Sequence, residues 1–158
     1  LTPVNFTGWQ YGQHAPMITS QGDILLYDDG NFRAQPPNAT TADSANYSRA
    51  VQYHVDQQAM TVSQVWDFGS PSTVAQTLYT GFLGDADEMP QTGNVLTTFG
   101  AISYIGGQAT NNLVARVIES TKSGQVVFQL NLGVDSSDPA QQQRLTDYRA
   151  DRIPTLNP

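Results

Sequence analysis

Apolar residues in this chain arrive in short runs, many of them alternating, and almost every run ends at Gly, Asp, Asn or Pro. That period and that punctuation predict strands joined by turns. Residues 23–27 (Asp23-Ile24-Leu25-Leu26-Tyr27) lead into Asp28-Asp29-Gly30, a strand followed by a turn signal. Residues 49–55 put Val51, Tyr53 and Val55 on one face, and residues 60–68 form a third strand stopped by Gly69. Residues 94–99, 113–119 and 125–132 read the same way. One stretch, residues 139–152, has a helical pattern, with Pro139 placed for the first turn and Asp138 for the cap.

The strands repeat. Gly22-Asp23-Ile24-Leu25 recurs as Gly93-Asn94-Val95-Leu96, Arg49-Ala50-Val51 as Arg116-Val117-Ile118, and Gln64-Val65-Trp66 as Gln125-Val126-Val127. The spacing shrinks from 71 to 67 to 61, which implies shorter loops in the second copy. Each copy holds three clear strands, and the segment before each Gly can supply a fourth. Four-stranded antiparallel units at this period predict an all-β fold of propeller blades. A β-sandwich of two similar halves fits the periodicity as well. In the propeller reading, residues 1–158 are the C-terminal part of one domain, with blades at about 12–69 and 83–133 and a tail from 134 to 158 carrying the short helix. A propeller closes with at least about four blades, so the rest of the ring must come from the same chain or a partner. Trp66 and Phe128 fall at matching positions and are expected in the core between blades.

Charge and composition narrow the partners. Fourteen acidic residues oppose seven basic ones, and Lys122 is the only lysine. Such a chain repels phosphate backbones, so nucleic acid is not an expected partner. No apolar run reaches the roughly 20 residues of a membrane helix. Cysteine is absent, which removes disulfides and thiolate metal sites, and with the Thr-, Gln- and Asn-rich composition this is in keeping with a periplasmic or secreted protein. The chain begins with Leu1, so a processed or truncated start is expected. Asn5, Asn38 and Asn46 head Asn-x-Ser/Thr sequons that matter only if the host glycosylates exported proteins. Asp28-Asp29-Gly30 invites a calcium reading, but a hairpin turn accounts for it better, and no metal is expected.

Several stretches resemble one family. Trp9-Gln10-Tyr11-Gly12-Gln13-His14 with Leu26-Tyr27-Asp28-Asp29-Gly30, then residues 48–56 (Ser48-Arg49-Ala50-Val51-Gln52-Tyr53-His54-Val55-Asp56) and 60–66 (Met60-Thr61-Val62-Ser63-Gln64-Val65-Trp66), resemble the aryl-sulfate sulfotransferases. Gly93-Asn94-Val95-Leu96 and Tyr148-Arg149-Ala150-Asp151-Arg152-Ile153-Pro154 are similar to later family signatures. The likeness runs in family order along nearly the whole chain. It implies a periplasmic six-bladed propeller that moves sulfate from a phenolic sulfate ester to another phenol, with no nucleotide donor and no cofactor. It also implies a transiently sulfated histidine and further His and Arg side chains holding the sulfate oxygens. Imidazole is a nucleophile, and Arg presents a planar fork to an oxyanion.

By the same resemblance, His14 matches a sulfate-site histidine on the innermost strand, and Arg33, just after the Asp-Gly turn, matches the sulfate-binding arginine. Taken alone, His14 beside Ala15-Pro16 is as easily a structural residue, and Arg33 a solvated turn residue. The covalent histidine is expected one blade later, where the repeat maps His14 onto Asp85; each precedes its Gly by eight residues. That segment reads Gly84-Asp85-Ala86-Asp87-Glu88 and holds no histidine. His54, in mid-strand, reads as structural. Asp85 and Asp87 could bind a cation or substrate or serve as a base, or could be solvated turn acids. A carboxylate adds like charge beside a sulfate. Three functions therefore stand open: a sulfotransferase using His14 and Arg33, a non-catalytic exported propeller serving as a binding or structural module, and another hydrolase or lyase with Asp85 or Asp87 as base.

Overall fold

In the computed structural model, which describes residues 1–33, 42–141 and 144–153, the predicted strands form, and two antiparallel meanders account for nearly all of them. The first runs β2 (Gln13–Ile18), β3 (Ile24–Asp28), β4 (Arg49–Asp56) and β5 (Thr61–Phe68), with β1 (Thr2–Val4) lying parallel along the outer side of β5. The second runs β7 (Gly84–Glu88), β8 (Val95–Ile105), β9 (Gln108–Ser120) and β10 (Val126–Leu132). The short β6 (Leu78–Tyr79) pairs with the far end of β8, beyond β7. Both sheets are open among the described residues, so the all-β class holds while blade closure is not seen.

The repeat read from the sequence survives as register. His14 stands opposite Tyr27, and Asp85 stands opposite Thr98 at the matching place. Arg49 faces Asp28 across β3–β4, and Arg116 faces Phe99 across β8–β9. Trp66 pairs with Gln52 as Phe128 pairs with Glu119. The third motif is therefore offset by 62 residues, one more than the Gln64/Gln125 alignment gave. Even an irregularity recurs: Val65 in β5 and Val127 in β10 are each the extra residue of a bulge at the equivalent point.

Alternation decides which residues enter the core. Leu25, Tyr27, Ala50 and Phe68 of the first sheet meet Ala86, Val95, Phe99, Ile102, Val114 and Ile118 of the second, with Leu78 between them. At about 1.5–3 kcal/mol per fully buried large side chain, this inter-sheet layer holds the two meanders together. Leu26, Val51, Tyr53 and Val62 point the other way and are covered by Phe6, which packs on Trp9 at 4.5 Å. Trp66 packs against the inter-sheet core as expected. Phe128 does not: its strand is an edge, and the ring is 45 % exposed.

Two expectations are corrected. Strands β8 and β9 extend well past residues 99 and 113 into a long hairpin, turned by Gly106-Gly107, both in left-handed conformation as a two-residue turn demands. Gly100 interrupts the apolar pattern there because the backbone of residue 147 packs directly against it, leaving no room for a Cβ. Among the described residues the helix over 139–152 does not form. Asp138 does cap, accepting from the Ala140 amide at 2.9 Å, but one 3-10 turn (Pro139–Gln141) is all the helix that these residues hold. Residues 144–153 are an extended strap across the second sheet, tied by Leu145 N–H to Leu113 O at 3.1 Å and Asp147 N–H to Gly100 O at 2.9 Å. Backbone partners outside the segment displace the helix that local propensity favoured. Of the sequons, Asn46 is buried and Asn5 exposed; Asn38 and Pro154 lie outside the described residues.

Candidate functional site

The turn after β3 builds one half of the site. Asp28 is fully buried, and each of its oxygens is doubly engaged. Oδ1 accepts from the amides of Tyr11 (2.8 Å) and Gly30 (3.0 Å), while Oδ2 accepts from Arg33 Nη2 (2.7 Å) and Arg49 Nε (2.9 Å). Burial pushes the Arg49 guanidinium down, but the charge and hydrogen bond of Asp28 more than reverse it. With Asp28 so occupied, the turn has no carboxylate cage for a cation, and no group of three or more metal-ligating side chains occurs among the described residues. Its neighbour Asp29 is free to point elsewhere. Its Oδ1 lies 3.0 Å from His14 Nε2.

His14 is aimed by a distorted strand. The β2–β3 register shifts between His14 and Met17, and Ala15 within that bulge has φ +52, a left-handed conformation rare for a residue with a side chain. Bonding of Nε2–H to the Asp29 carboxylate fixes the tautomer and leaves the Nδ1 lone pair without a partner. The hydrogen bond to Asp29 raises the His14 pKa; burial opposes this, and the charges of Asp29 and then Asp85 add to it. The ring lies 5.3 Å from that of Tyr27, whose hydroxyl is hydrogen-bonded to Thr80 and whose pKa burial drives upward.

Strand β7 supplies the other half. β7 packs beside β2 and β3, an approach that Gly84 permits because any Cβ there would meet the Tyr27 ring. Asp85 and Asp87 share a face of β7, with Ala86 turned into the core between them. The Asp85 carboxyl is 7 % exposed. Burial, then the charge of Asp87 and a hydrogen bond with it, push its pKa to about 6, against the pull of the Ala86 amide and Arg149. Arg149, on the strap, places Nε 3.2 Å from Asp85 Oδ2 and Nη2 3.5 Å from Asp87 Oδ2. The Asp85 contact is an ion pair without hydrogen-bond alignment, since Oδ2 has no hydrogen-bond partner. The preceding residue, Tyr148, stacks over His14 at 6.3 Å and 24°.

The structure thus brings His14, Asp85 and Asp87 to one place, while Arg33 is committed to Asp28 in the neighbouring turn. Arg33 lies over the Tyr47 ring at 4.1 Å and donates to Tyr47 O at 3.1 Å as well as to Asp28. His54 is bonded through Nδ1 to Asp23 Oδ1 at 2.7 Å, away from this cluster. Sequence reading assigned no site role to Asp29, Tyr148 or Arg149. The doubled Asp of Asp28-Asp29-Gly30 is the available signal, because it supplies one carboxylate more than the turn uses. Nothing in the local pattern of Tyr148-Arg149 announces where the strap will lie.

Comparison with known proteins identifies the family. The family model described as arylsulfotransferase (ASST) matches residues 1–142. Over 61 residues, 37 % of this chain, the sequence is 39 % identical to the arylsulfate sulfotransferase AssT of Escherichia coli O6:H1. Over 63 residues, 39 % of this chain, it is 33 % identical to the protein of the same name from Lelliottia amnigena. The matched stretch is 10 % of the length of each of these relatives.

Proposed function

Because the chain belongs to the arylsulfotransferase family, we propose that the protein it represents transfers sulfate from a phenolic sulfate ester to another phenol, without a nucleotide donor or other cofactor. The two meanders are read as two blades of a propeller, completed by further blades, in a periplasmic or secreted protein. No helix among the described residues is long and apolar enough to cross a membrane.

The observation that carries the reading is His14 itself. An imidazole fixed in one tautomer by Asp29, with its other nitrogen enclosed in this structure and without a hydrogen-bond partner, holds the lone pair that a nucleophile or a sulfate ligand uses once substrate reaches it. Asp85, ionised above a pH of about 6, is the group this site offers to take the acceptor phenol's proton. Arg33 matches a sulfate-binding arginine by resemblance alone. Placed on Asp28, it serves instead as a positioning residue, holding the turn from which Asp29 reaches His14.

A second reading has one specific observation in its favour. Asp85 occupies the register position matching His14, where the family resemblance calls for a covalent histidine, and carboxylates there oppose an incoming sulfate. On that reading the protein is a binding or structural module that has lost the reaction.

The deciding measurement is sulfate transfer by the full-length protein from para-nitrophenyl sulfate to phenol, beside a His14→Ala variant. Turnover that His14→Ala reduces by at least about a hundredfold establishes the transferase. A folded wild-type protein without turnover leaves the binding module.

A further inference from the structure

Strap residues 148–149 sit over both halves of the site, and their chemistry is opposite to that of everything beneath them. The groups around His14 are carboxylates: Asp29 at 3.0 Å, then Asp85 and Asp87 on β7. An aryl sulfate is an anion, so it cannot approach this cluster unless a cation accompanies it. The other cations with described contacts are committed elsewhere. Arg33 and Arg49 are bound to buried Asp28, Arg152 to Glu119, and Lys122 to Gln52 and the Trp66 ring. Arg116 lines a separate cavity of about 160 Å³ with Phe68 and Val126.

We propose that Arg149 is the residue that receives the anionic group of the substrate, with Tyr148 as an aromatic wall beside His14; this rests on the reading that an aryl sulfate is bound at His14. Three features of Arg149 suit it to the task. The side chain is 55 % exposed, and its Nη1 makes no ion pair or hydrogen bond among the described residues, so one edge of the guanidinium fork is open. Its carboxylate contacts all run through Nε and Nη2: the exposed Asp151 accepts from Nε at 3.2 Å and lies 3.1 Å from Nη2, Asp87 lies 3.5 Å from Nη2, and Asp85 is unaligned. An incoming anion therefore meets the open Nη1 edge and displaces only the exposed Asp151 contact. The strap itself is not loose. Asp147 N–H bonds to Gly100 O on one side, and Arg152 reaches buried Glu119 on the other, which fixes residues 148 and 149 between them. Tyr148 is 61 % exposed while lying nearly parallel to the His14 ring, which leaves an aromatic face for a phenyl group.

The test compares wild-type full-length protein with Arg149→Gln, Arg149→Lys and Tyr148→Leu. With para-nitrophenyl sulfate as donor, Arg149→Gln should raise the donor KM by about tenfold, the loss of one charge-assisted contact. The acceptor KM and the melting temperature should stay unchanged. Arg149→Lys should recover part of the loss, and Tyr148→Leu should raise the donor KM more modestly. A donor KM that Arg149→Gln leaves unchanged overturns the assignment. So does a fall in kcat and melting temperature together that Lys does not rescue, which would make Arg149 a latch. If the wild type turns nothing over, the transferase reading fails separately, and equilibrium binding decides the role of Arg149. An affinity for para-nitrophenyl sulfate that Arg149→Gln weakens about tenfold, with para-nitrophenol unaffected, sustains it. Equal binding by both proteins, or none by the wild type, overturns it.

Discussion

The two sheets follow one plan, and the residues at their matching positions differ where it matters most. Where the first sheet pairs Asp28 with Arg49, the second pairs Phe99 with Arg116. The first solution is a buried ion pair reinforced by Arg33; the second is an aromatic ring in the core beside an arginine with no ion-pair partner among the described residues, its pKa lowered by burial. Where the first sheet has His14, the second has Asp85. Where the first covers Trp66, the second leaves Phe128 in the open. The backbone tolerated all three exchanges, even keeping its bulge at Val65 and Val127. A meander therefore constrains alternation and turns, and leaves the chemistry at a given register position free to diverge.

The largest effect should come from the ion pair. Asp28→Ala leaves two arginines without their shared carboxylate and should cost about 3–5 kcal/mol, read from urea denaturation. Arg116→Met, at the place matching Arg49, should fall within about 1 kcal/mol of wild type or stabilise the protein. Equal losses at the two positions would break the comparison. Next comes the tryptophan: Trp66→Ala should lose about 2 kcal/mol, and Phe128→Ala, already exposed, under about 1 kcal/mol.

The remaining effect carries a pH signature. Folding raises the Asp85 pKa from 3.8 to about 6, so the folded state binds this proton more tightly than the unfolded chain does. Stability linked to Asp85 is thus fully present below a pH of about 4 and is lost as the pH rises through about 6. Asp85→Asn removes that loss. Its thermal melting should exceed wild type by the equivalent of about 1–2 kcal/mol above pH ~6, after allowance for screening. The gain should vanish below pH ~4, and a gain of equal size at both ends would mean that the carboxylate is not the cause.

Local chemistry wrote the meanders, and they were legible for that reason. Strand alternation, the Gly22 and Gly93 turns and the recurring Arg positions each depend on residues a few places apart, so reading along the chain recovers them. The same reading failed at Gly100, where a distant backbone, not a turn, asked for glycine. It also gave a helix over 139–152, because Pro139 and Asp138 do signal a helix start while the bonds that hold the strap extended belong to Leu113 and Gly100.

At the site, the sequence determined the identity and register of His14 and Asp85, since both follow from counting back along a hairpin from its glycine. What surrounds them was decided by the tertiary structure alone. Arg33 lies a few residues from both Asp28 and Asp29, and only packing determined that it would take Asp28 and leave Asp29 for His14. The strap brings Tyr148 and Arg149 from the far end of the chain to the first and second sheets. Pairing between residues so distant depends on which surfaces the two sheets leave uncovered, a property of the folded whole and of no segment read by itself.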